Sequence, residues 1–117
     1  MSKPLAFVVE DDPHLSQIFS IALSDYFVVE AITDGAKALA WLGEIVPHLV
    51  VLDLNLPGAS GAQILQSIRA DSRLKSTRVI LATADPRQAY DLQEKADIVL
   101  LKPISIVQLR DLSERLR

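Results

Sequence analysis

Five short aliphatic runs, each set apart from the next by a longer amphipathic segment, constrain this chain most. They are "LAFVV" (5–9), "FVVEAI" (27–32), "HLVVLD" (48–53), "RVILAT" (78–83) and "DIVLLK" (97–102). Each is rich in Val, Ile and Leu, and several show no apolar–polar alternation. Unbroken runs of this length suit parallel strands covered on both faces. The segments between them carry helix signals. Asp12-Pro13 offers a cap and a first-turn proline before Leu15, Ile18, Phe19, Ala22 and Leu23. Asp34 precedes Ala38, Leu39, Leu42 and Ile45 at helical spacing. Ser60 with Gln63 reads as a capping box, and Asp85-Pro86 with Gln88 repeats the signal before Ala89 and Leu92. Ser105 with Gln108 opens a last helix bearing Leu109, Leu112 and Leu116. Five βα units predict an α/β fold, a parallel sheet with helices on both faces.

A chain of 117 residues fits one domain, 1–117, with an adequate core. It ends inside its final helix, so it reads either as a whole protein or as a piece of a longer one. With no cysteine, a disulfide scaffold, a thiolate metal site and a cysteine nucleophile are excluded. The net charge of −3 and the lack of a Lys/Arg cluster argue against direct nucleic-acid binding by this segment. The start is too short in apolar residues for a signal peptide, and no run approaches a membrane span. The expectation is a soluble cytoplasmic domain without membrane contact.

Chemistry gathers where the strands end. Doubly wound sheets bind ligands beyond the carboxyl ends of their strands, at the topological switch point. In the common order 2-1-3-4-5 that point lies between the first and third strands. The first run ends in Glu10, Asp11 and Asp12, the third in Asp53, the fourth in Thr83 and Ala84, and the fifth in Lys102. Two carboxylates ~5 Å apart repel by roughly 3 kcal/mol at an effective dielectric of about 20. An oxygen-only donor set of this kind favours a hard cation, Mg²⁺ above all. Metal plus Lys102 would balance Glu10, Asp11 and Asp53 and still face the oxygens of a phosphoryl group, which suits phosphoryl transfer.

"VVEDD" (8–12), "LDLNLPG" (52–58) with Gly61, "LATAD" (81–85) and "LKP" (101–103) together resemble the receiver domain of bacterial two-component response regulators. Each motif alone is weak; all four, in order and at the right strand ends, are specific over essentially the whole chain. The resemblance implies a flavodoxin-like (βα)5 fold, and the strand order 2-1-3-4-5 rests on it. It implies that Asp53 accepts a phosphoryl group from a histidine kinase or a histidine phosphotransfer protein. By the same likeness Asp11 binds Mg²⁺ directly, Glu10 binds it through water, and the Asn55 backbone carbonyl completes the protein ligands with Asp53. Thr83 and the Ala84 amide would bond the phosphoryl oxygens, Lys102 would pair with them, and the Lys102-Pro103 bond would be cis. The resemblance also implies that Asn55 and Asp85 occupy positions that tune the lifetime of the aspartyl phosphate. The only reactions implied are transfer to Asp53 and autodephosphorylation, so the chain reads as a switch rather than an enzyme, acting on an unidentified output domain or partner.

There are departures. Val99 stands where the family usually has Tyr or Phe, Ile104 where Phe is common after "KP", and Ile98 where DNA-binding members often carry a second acid. Val99 and Ile98 leave open a dimer through the last helices, and Val99 motivates an alternative, a degenerate receiver acting as a phosphorylation-independent interaction module. A haloacid-dehalogenase-type phosphatase wants an acid two residues after the nucleophile, where Asn55 stands. A flavin module would need a phosphate cradle where "EDDPH" would repel one. His14, His48, Trp41 and Tyr90 read as ordinary structural or surface residues.

Overall fold

The aliphatic runs pair side by side, and the sheet they form decides everything else. The computed structural model describes residues 3–117. Strands β1 (Leu5–Val9), β2 (Val28–Ile32), β3 (Leu49–Asp53), β4 (Arg78–Thr83) and β5 (Ile98–Leu101) alternate with helices α1 (Pro13–Leu23), α2 (Gly35–Leu42), α3 (Gly61–Ala70), α4 (Pro86–Leu92) and α5 (Ile106–Arg115), with a 3-10 turn at Ser72–Leu74. All strand pairs are parallel and the order is β2-β1-β3-β4-β5. The predicted flavodoxin-like architecture is the one observed. Among the described residues no helix is long and apolar enough to cross a membrane.

Strand periodicity splits the core in two. Phe7, Val9, Val50, Leu52, Val79 and Leu81 face α2 and α3, against Ala38, Leu42, Ile64, Leu65 and Ile68. Ala6, Val8, Leu49, Val51 and Ile80 face α1 and α5, against Phe19, Ala22, Leu23 and Leu109. Successive side chains point to opposite faces, so an apolar run without alternation feeds both layers at once.

Not every run is buried on both faces. Only Ile32 of β2 and Leu100 of β5 are buried, because these strands form the two edges. Helix α2 stops at Leu42 with Gly43 as its C-cap, so Ile45 lies beyond the helical face and is exposed. Asp12, Asp34, Ser60, Asp85 and Ser105 all cap their helices through side-chain oxygens. The Ser60–Gln63 capping box closes in both directions. The Asp85–Gln88 box does not: Asp85 accepts the Arg87 N–H, while Gln88 turns inward to the buried Thr83 hydroxyl. A buried hydroxyl needs a partner more than a solvated helix start needs a second cap. The Lys102-Pro103 bond is cis.

Trp41 packs edge-on against Phe7 under the Lys37 ammonium, and His48 Nε2 meets the Leu116 carbonyl at 2.8 Å. Both are structural, as expected of them. Tyr90 is exposed on α4.

Candidate functional site

Each acid reaches the switch point because its strand stops there. β1 ends at Val9, and the Glu10 N–H continues its pairing by donating to the Ile32 carbonyl. β3 runs one residue further, and Asp53 sits opposite Ala82 in the register with β4. Glu10 and Asp53 are therefore almost fully buried, at 1% and 3% exposure, while Asp11 is exposed. The three residues offer carboxylate oxygens that all lie within 4.8 Å of one another. The structure thus brings Glu10, Asp11 and Asp53 together at one strand edge.

The chain after Asp53 is shaped to leave the strand sharply. The Leu54 N–H bonds the Ala82 carbonyl, the Asn55 N–H donates back to Asp53 Oδ1 at 3.1 Å, and the Gly61 N–H bonds the Leu54 carbonyl. Gly58 takes the left-handed φ of 77° that the turn requires. Gly61 is held against the strand end so closely that a Cβ there would lie 2.4 Å from the Asp53 carbonyl oxygen. The loop bearing Asn55 thus starts on the acidic side of the sheet.

Lys102 comes from the other edge. Its backbone N–H bonds the Thr83 carbonyl, and its ammonium lies 3.3 Å from both Glu10 Oε1 and Asp53 Oδ2. Burial works against its charge, but Asp53 and Glu10 outweigh that and hold Lys102 above the usual lysine range. Glu10 goes the other way from a normal carboxyl, up to about 7. Burial is the main cause, and the Asp53 carboxylate adds to it; the Asp12 N–H and Lys102 pull back without cancelling it. Three acids facing one ammonium form an electrostatically short-handed cluster. An all-oxygen set of this size fits Mg²⁺, which takes one or two carboxylates, a carbonyl and water in an octahedron.

Thr83 is fully buried at the end of β4. Its hydroxyl accepts the Asp85 N–H at 3.1 Å and donates to Gln88 Oε1 at 2.9 Å. Gln88 does not complete the capping box that its spacing from Asp85 suggests; it lies five positions after Thr83, at the start of the helix that follows that strand. Ala84, next along, is exposed, and Val99 packs on the apolar layer with Leu92 and Ala96.

A doubly wound flavodoxin-like sheet with an acidic cluster and a lysine at its switch point defines a class of α/β domain suited to a divalent cation and a phosphoryl group. The family model of the response regulator receiver domain matches residues 6–114, and the chain belongs to that family. It is 35% identical over 103 residues to the DNA-binding response regulator MtrA of Mycolicibacterium smegmatis, covering 87% of this chain and 45% of that protein. It is 34% identical over 113 residues to the DNA-binding dual master transcriptional regulator RpaA of Synechocystis, covering 91% and 46%. The BeF3-activated receiver domain of DrrB, a Thermotoga maritima OmpR/PhoB homolog, superposes with a TM-score of 0.87 at 29% identity, covering 97% of each chain. The chain spans about half the length of these curated relatives. It is a receiver domain, a signalling switch with the phosphoacceptor role in two-component signalling.

Proposed function

We propose that Asp53 is the phosphoacceptor and that Glu10, Asp11, Asp53 and the Asn55 carbonyl hold the Mg²⁺ that the transfer requires. The observation that carries this reading is the convergence of Glu10, Asp11 and Asp53 within 4.8 Å, with Lys102 at 3.3 Å from two of them. A carboxylate oxygen of Asp53 attacks phosphorus, and the bond from phosphorus to a histidine nitrogen breaks, its electron pair leaving on the imidazole. Bound Mg²⁺ supplies charge neutralisation for the phosphoryl oxygens. Lys102, held charged, faces the same oxygens, and the Ala84 amide and Thr83 hydroxyl offer further donors. The apolar walls of β1 and β3 fix the nucleophile and keep its dielectric low.

The phosphodonor is a histidine kinase or a histidine phosphotransfer protein, the domain works in the cytoplasm, and the phosphorylated face acts on an output domain or partner. The transfer is self-catalysed by the domain, and water at the same site returns it to the resting state. The test is intact mass after incubation with Mg²⁺ and acetyl phosphate. The parent should gain one phosphoryl mass only with metal, Asp53→Asn none, and Asp11→Ala none. Labelling of Asp53→Asn equal to the parent overturns the assignment. Absence of labelling in the parent, also from a histidine kinase, favours the phosphorylation-independent module instead.

A further inference from the structure

The Thr83 hydroxyl has one proton to give. In this structure it gives it to Gln88 Oε1 at 2.9 Å, on the helix side of the strand end. The second contact of that oxygen is the N–H of Asp85, at 3.1 Å, the residue that caps the same helix. A phosphoryl oxygen on Asp53 would need that same proton. The two acceptors therefore exclude one another. We propose that Gln88 is a positioning residue: it latches the Thr83 hydroxyl to α4 in the resting domain and is released when a phosphoryl group on Asp53 captures the proton. The inference rests on the phosphoacceptor reading above.

Three observations favour a latch over an incidental contact. Thr83 is fully buried, so its proton must find a protein partner in either state. The phosphoryl group is anionic, and a charge-assisted bond to it outcompetes one to a neutral carboxamide. Helix α4 has only seven residues, all among those described, and none is buried. A helix so lightly seated responds to the loss of one side-chain tether. Val99, on the neighbouring strand, is a short aliphatic residue packed against the same apolar layer as Leu92 and Ala96, and it has no polar group to hold the hydroxyl in Gln88's place. Gln88 is half-buried, so once released its carboxamide can reach water. The state of Asp53 is thereby passed to the first turn of α4 through a single proton.

The experiment titrates beryllofluoride with Mg²⁺ into the parent, Gln88→Leu, Thr83→Ala and the double variant, read by fluorine NMR. Gln88→Leu removes the competing acceptor at similar size and leaves the proton of the resting hydroxyl without an acceptor, while the Asp85 N–H still donates to its oxygen. It should bind beryllofluoride about three- to tenfold more tightly than the parent. Thr83→Ala should bind more weakly, and adding Gln88→Leu to it should change nothing, because the latch acts only through the hydroxyl. With no beryllofluoride present, amide exchange across 86–92 should quicken in Gln88→Leu and in Thr83→Ala alike. Equal or weaker binding by Gln88→Leu overturns the latch, as does a gain that persists without the Thr83 hydroxyl. A parent that binds no beryllofluoride overturns the phosphoacceptor reading itself, and the latch with it. That outcome is distinct from a parent that binds and a Gln88→Leu that matches it.

Discussion

Single residues in this domain are held by charge as much as by packing. Asp53 lies 3.3 Å from the Lys102 ammonium yet shares its pocket with Glu10 and Asp11. Without metal, Asp53→Asn should stabilise the protein by roughly 1–3 kcal/mol, since it removes one of the mutually repelling charges. The rise in Tm that Mg²⁺ gives the parent should shrink in the variant, because only the folded form holds the ion. Thermal melts with and without Mg²⁺ check both. A second acid, Asp97, works far from the site. It accepts the Val79 N–H at 2.7 Å and pairs with Arg69 at 3.1 Å and Arg78 at 3.2 Å. Partial burial pushes its carboxyl up, but the Val79 N–H and the two guanidinium groups win and hold it below the usual aspartate range. A folded-state pKa below the unfolded one adds stability above about pH 4, which is lost as pH falls through the folded value. Asp97→Asn should cost about 1–2 kcal/mol at pH 7, with the difference from the parent shrinking in acid. Urea unfolding at pH 7 and pH 3 tests the sign.

Elements matter through how closely they meet. The first turn of α3 lies against the end of β3, where a Cβ on Gly61 would sit 2.4 Å from the Asp53 carbonyl oxygen and 2.5 Å from Leu54 Cα. Neither is the end of a flexible side chain, so backbone must move. Gly61→Ala should cost roughly 1–3 kcal/mol and displace the acidic strand end. It should weaken Mg²⁺ binding by calorimetry while Gly43→Ala, whose nearest contact is 3.3 Å, leaves it near the parent value. Much of this level was legible in advance. Cap residues named the helix starts, since a side-chain oxygen before an amphipathic stretch has a local job. Asp85 caps its helix as its position suggests, but the partner of Gln88 is not legible locally, because the Thr83 hydroxyl comes from a strand end whose direction no local pattern reports.

At the scale of the whole molecule, one parallel sheet carries two separate apolar layers. Central β3 is buried along its full length, whereas β2 buries only Ile32. Leu52→Ala should therefore destabilise by about 2–5 kcal/mol, and Val28→Ala, half-exposed on the edge, by well under 1 kcal/mol. Equilibrium unfolding of the two variants checks the contrast. The aliphatic runs look alike in sequence, but their burial depends on strand order, and a strand at the edge has a neighbour on one side alone.

By itself the sequence determined the alternation of strand and helix, the caps, and which acids and which lysine end the strands. Those follow from short-range periodicity and from chemistry written within a few residues. Tertiary structure alone decided that Glu10, buried beside Asp53, is pushed up to about 7 while Lys102 is held charged. It alone decided which strands lie at the edges and that Gln88 takes the Thr83 proton. Burial, field and hydrogen-bond competition arise between segments far apart or differently directed along the chain, so they exist only once the sheet has brought those segments together.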